Sequence, residues 1–144
     1  NAPSKFFTDD LWLKAQAPDI EVVDLGTHDA QAVDYPDIAR GVAQQVASDA
    51  SNNGILICGT GNGMAMTANK IAGIRAAVAF DAYTGQMARA HNHANILCLG
   101  ERSTAVAQAL AALQAWIQAV PEGDRHQRRV DKITQIEGHG SLKA

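Results

Sequence analysis

Short apolar runs alternate with helix-patterned segments along most of this chain, and the connections between them are brief. Ile20–Val23, Ile55–Cys58, Arg75–Phe80 and Ile96–Leu99 have the length and apolar content of buried strands. Helical spacing fills the stretches between them. One helix is expected from Pro36 to about Asp49, with Ile38, Val42 and Val46 on one face and Asp34 as a possible cap. Others are expected over Gly63–Ile71, Asp81–Ala90, Thr104–Val120 and about Asp124–Glu137, and an opening helix over Ser4–Ala17. Strands that alternate with helices over short connections must run parallel, with helices covering both faces of the sheet. The predicted fold is α/β: a three-layer α/β/α Rossmann-like sandwich on a parallel sheet of about five strands. Residues 1–144 are expected to form a single domain. In such sheets ligands bind beyond the carboxyl ends of the strands. Cys58, His91 with Asn92, and Gly100-Glu101-Arg102 fall on loops of that kind or on the helices beside them.

Charge narrows the choice of partner. The net charge is −3, and no Lys/Arg run appears before Arg125. A nucleic-acid or membrane surface would need a broad positive field, and none is predicted. A small anion would have to be held by a few local cations. Cys58 and Cys98 each close an apolar run, which suits thiols at strand ends better than a disulfide framework. No stretch is apolar enough to span a bilayer or reads as a signal peptide, so the cytoplasm is the expected compartment.

Three segments could carry chemistry. Cys58-Gly59-Thr60-Gly61-Asn62-Gly63 joins a strand to a helix through alternating glycines. Such a loop turns tightly and brings N–H groups close to a ligand, at the positive end of the helix that follows. A thiol there gains thiolate character, and the N–H groups could hold an enediolate oxyanion. A nucleotide phosphate loop, or a tight turn beside a core cysteine, would use the same glycines. The Walker form is disfavoured because no Gly-Lys-Ser/Thr follows. His91-Asn92-His93-Ala94-Asn95 offers an acid or base and a hydroxyl ligand. It could equally be a helix end, with histidine offsetting the dipole and asparagine capping. Metal binding is not expected there, because His91 and His93 cannot share a helix face and no carboxylate follows at ligand spacing. Arg125 and Arg129, four residues apart, share a helix face and could clamp a phosphate; a solvated basic surface is the plainer reading. Arg102 is a lone loop cation of the same two meanings.

Taken in order and spacing, the segments resemble the ribose-5-phosphate isomerase B family. The resemblance rests on Val33-Asp34-Tyr35-Pro36-Asp37, Gly54 through Gly63, Ala68-Asn69-Lys70 and Gly73-Ile74-Arg75-Ala76-Ala77. It continues through Ala88-Arg89-Ala90-His91-Asn92, Ala94-Asn95-Ile96-Leu97, Gly100-Glu101-Arg102 and Arg125 through Asp131. It implies a metal-independent, cofactor-free aldose–ketose isomerase acting on a sugar phosphate through an enediolate, ribose 5-phosphate first. The same chemistry on a hexose 6-phosphate or tetrose phosphate, or a non-catalytic sugar-phosphate binder, would fit the same motifs. By the resemblance, Cys58 is the proton-shuttling base, and Met64 stands where some members carry a glutamate. Thr60 and His91 open the sugar ring, and Gly59, Gly61, Asn62 and Gly63 form the oxyanion loop. Asn92 holds a hydroxyl, Arg102, Arg125 and Arg129 bind phosphate, and Tyr35 lines the pocket. Homodimers or homotetramers with active sites shared between subunits are implied. The family also opens on a strand ending in an Asp-His pair. Here Asn1-Ala2-Pro3 stands at that point, and we expect further residues before it to supply the strand.

Overall fold

The structure is a computed structural model and describes residues 11–26 and 33–143. Its helices are α1 (Leu11–Gln16), α2 (Tyr35–Ala47), α3 (Asn62–Ala68), α4 (Ala82–Ala90), α5 (Val106–Gln118) and α6 (Arg125–Lys143). Its strands are β1 (Gly54–Cys58), β2 (Ala76–Val78) and β3 (Ile96–Gly100). The strands run parallel in the order β1-β3-β2, with Gly54 opposite Ile96 and Cys58 opposite Gly100. The helices pack on both faces, as the alternation requires.

The middle strand shows why. All five residues of β3 are buried. Its side chains alternate between faces, the period-two property of a strand. Leu97 and Leu99 pack with Ala88 of α4 and with Ala109, Leu113 and Trp116 of α5. Ile96 and Cys98 pack with Ala43 and Val46 of α2 and with Met64 and Ala68 of α3. A strand buried on both faces must be apolar throughout, and this one is.

Two expectations need correction or restriction. Ile20–Val23 is not a strand: the segment is irregular and Val23 is 67% exposed. Apolar content alone does not make a strand; the backbone must meet a neighbour edge, and this segment lies across a cavity from β1 instead. Among the described residues the sheet therefore has three strands. The opening strand, Asn1 and the first part of the Ser4–Ala17 helix lie outside the described residues.

Helix α4 is fixed at its start by a reciprocal cap. The Thr84 N–H donates to Asp81 Oδ1 at 2.8 Å, and the Asp81 N–H donates to Thr84 Oγ1 at 3.2 Å. It then meets α5 at Gly85, where a Cβ would overlap the Ala112 carbonyl. The contact is backbone to backbone, so neither side can yield by a rotamer change. Gly85→Ala should destabilise the fold by about 1–3 kcal/mol, the usual cost of overpacking. Thermal melts check this; an unchanged Tm would mean that the two helices part freely.

Candidate active site

The strand-to-helix turn after β1 carries the thiol of Cys58. Cys58 ends β1 half-buried, and the Gly61 N–H donates to its Sγ at 3.2 Å. The turn closes because Gly61 adopts φ +85°, a left-handed backbone that side chains resist. Thr60 is exposed, and its Oγ1 accepts from the Asn62 N–H at 3.3 Å. The following connection is tied to this turn: the Glu101 N–H donates to the Cys58 carbonyl and the Arg102 N–H to the Gly59 carbonyl, each at 2.9 Å. The Arg102 stem therefore passes over Gly59. Tyr35, at the start of α2, fills the space where a Gly63 side chain would stand. Tyr35, Cys58, Gly59, Thr60, Gly63 and Arg102 all line one cavity of about 1450 Å³, which extends along β1 to residues 19–26.

The second cysteine is chemically different. Cys98 lies fully buried in β3, and burial, with Cys58 beside it, pushes its thiol up to about 12. It stays protonated at neutral pH and belongs to the core.

His91, Asn92, Arg125 and Arg129 lie elsewhere. Helix α4 returns antiparallel to the strands, so His91 caps it at the amino end of the sheet. The Gly54 N–H, at the start of β1, donates to the Asn95 carbonyl at 2.8 Å, which ties the 91–95 turn to that end. Of the carboxyl-end loops or the helices beside them, His91 and Asn92 thus fall at a helix end, on a separate connection from Cys58. The five residues of β1 alone separate the two ends by roughly 13–17 Å. Asn92 is exposed, and the left-handed residue of the turn is His93, at φ +50°. Arg125 and Arg129 are exposed on the first turns of α6, while the residue after each, His126 and Val130, turns inward.

One participant at this corner escaped the sequence reading. Glu122 Oε2 accepts from His91 Nε2 at 2.9 Å and lies 3.8 Å from His126 Nε2. The His91 and His126 rings stack at 3.9 Å and 10°. Burial, then the neighbouring His91 and Arg125, hold the His126 imidazole below its ordinary value. His91, Glu122 and His126 bring their donor atoms within 4.8 Å of one another. Near-parallel rings send their in-plane lone pairs side by side, not to the single point a tetrahedral zinc site needs. No spacing rule links Glu122 to His91; only the return of the chain after α5 does.

Comparison with known proteins decides the family. A sequence model of the ribose/galactose isomerase family matches residues 7–133. The chain belongs to the ribose/galactose isomerase family. It is 47% identical over 118 residues to ribose-5-phosphate isomerase B of Escherichia coli (strain K12), covering 82% of this chain and 79% of that one. The type B ribose 5-phosphate isomerase of Trypanosoma cruzi superposes with a TM-score of 0.86 at 42% identity, over 90% of this chain and 87% of that one. Ribose-5-phosphate isomerase B of Mycoplasma genitalium, solved with bound ribulose-5-phosphate, gives 0.84 at 40% identity, over 90% and 85%. The parallel α/β sheet described above is thus that of the ribose/galactose isomerase family. No helix among the described residues is long and apolar enough to cross a membrane.

Proposed function

We propose that this chain interconverts D-ribose 5-phosphate and D-ribulose 5-phosphate, with Cys58 moving the proton and a second copy of the chain completing each site. The observation that carries it is the placement of Cys58 under the Gly61 N–H, on a glycine turn open to a cavity. The aldose is a closed ring in solution. His91 takes the anomeric hydroxyl proton as the C1–O4 bond breaks and passes it to O4, with the Thr60 hydroxyl as hydrogen-bond partner. The Cys58 thiolate then removes the proton on C2. The freed electron pair forms the C1=C2 bond, and the carbonyl electrons settle on O1. N–H groups of the Gly59, Gly61, Asn62 and Gly63 turn hold that oxyanion. The O2 proton passes to O1, the Cys58 thiol returns its proton to C1, and C2=O2 forms. No metal or organic cofactor takes part in this scheme.

The opposite placement of Cys58 and His91 supports a shared site. One chain cannot bring both to one sugar, whereas a two-fold dimer can set the His91 corner of one copy against the Cys58 end of the other. Asn92 then meets a sugar hydroxyl, and Arg125, Arg129 and Arg102 meet the phosphate. Residues 1–144 act as one isomerase domain in this scheme. The cytoplasm suits it, because a reducing compartment keeps Cys58 a free thiol.

The direct test is a panel of pentose, hexose and tetrose phosphates with ketose formation measured. Turnover of ribose 5-phosphate above the others is expected; turnover of none would overturn the reading. Arg125→Ala or Arg129→Ala should weaken binding of a phosphorylated sugar by about 1.5–3 kcal/mol, the range for hydrogen bonds to a charged group. Titration calorimetry checks this, and unchanged affinity would return both arginines to a solvated surface.

A further inference from the structure

His91 is held on two sides. At its edge, Nε2 donates to Glu122 Oε2 at 2.9 Å. Across its face, the buried His126 ring stacks at 3.9 Å. The Glu122 backbone is bonded in turn to Ala90 and His93, on either side of His91 in the turn. Its N–H donates to the Ala90 carbonyl at 2.8 Å, and its carbonyl accepts from His93 Nε2 at 2.7 Å. These two bonds hold the Glu122 backbone to the segment that carries the histidine, so its carboxylate starts from a fixed point beside the ring.

The chemistry of the pair then selects a tautomer. An ionised carboxylate only accepts, so the hydrogen sits on Nε2 and the lone pair of the neutral ring sits on Nδ1. Among the described residues no protein group bonds Nδ1. We propose that Glu122 is a positioning residue for the isomerisation: it locks His91 as the Nε2–H tautomer and leaves the basic Nδ1 as the nitrogen that meets the sugar. This rests on the reading of His91 as the ring-opening residue. His126 supports the same orientation by covering one face of the ring.

The test reads tautomer and turnover separately. With 15N-labelled histidine, the His91 signals, assigned by their loss in His91→Ala, should report hydrogen on Nε2. In Glu122→Ala they should shift toward a mixture of tautomers. The kcat for ribose 5-phosphate should fall about 10- to 100-fold, the scale for losing the partner that orients a functional imidazole, with KM nearly unchanged. Glu122→Gln should recover most of that loss, because its amide oxygen still accepts from Nε2–H. Wild-type kcat in Glu122→Ala, no rescue by glutamine, or hydrogen on Nδ1 in the unmutated protein would each overturn the inference. The last measurement stands even if the alanine variant fails to fold. A fully active His91→Ala would instead remove the role of His91 itself, which is a different failure.

Discussion

Cys58→Ser is expected to stop turnover while leaving the fold and phosphate binding intact. The two side chains are nearly isosteric, so the turn from Gly59 to Gly63 and its hydrogen bonds can persist. What changes is the proton. A serine hydroxyl holds it far more tightly than a thiol, and one N–H donor from Gly61 cannot make up the difference. Loss of a general base costs at least ~10²-fold in kcat. The core thiol cannot substitute, since Cys98 is fully buried and stays protonated. Ketose formation and binding of inorganic phosphate would be measured on the same sample. A variant keeping more than a few per cent of wild-type turnover would show that Cys58 is not the base.

Mixing two dead proteins is expected to restore activity. Cys58→Ser removes the base from the carboxyl end of the sheet, and His91→Ala removes the imidazole from the amino end. If each site takes Cys58 from one copy and His91 from the other, a mixed dimer holds one site with both lesions and one with neither. Random exchange makes about half of all dimers mixed, so about a quarter of all sites should work. Each parent alone should stay inactive at every concentration. A mixture that remains dead after exchange has been demonstrated, for instance by mass tags on the two variants, would place each site within a single chain. The strand geometry favours recovery, because β1 lies between the two residues in one chain.

Much of the architecture was legible from pattern. Continuous apolar runs bounded by glycine and polar turns marked β1 and β3, because a strand covered on both faces leaves no room for polar side chains. The helices followed from spacing, with ends shifted by a few residues: the 104–120 pattern became Val106–Gln118, and Pro36 falls in the first turn of α2 as expected. Ile20–Val23 misled for the opposite reason. A strand is a pairwise object, and those residues are as apolar as a strand needs but pair with no strand among the described residues.

The candidate site divides in the same way. The sequence by itself determined the chemical groups: a thiol on a glycine turn, a histidine at a helix end, and two arginines on one helix face. It also determined which of them had to lie together, wherever a few bonds of chain forced it, as from Cys58 to Gly63. Only the tertiary structure decided the rest. It set Arg102 over Gly59 and Tyr35 over Gly63, and it carried His91 to the far end of the sheet from Cys58. It also returned Glu122 to His91 after a whole helix had intervened. Side chains close along the backbone are held by local geometry that composition records. Side chains brought together by packing depend on strand direction and helix length, which no single motif encodes.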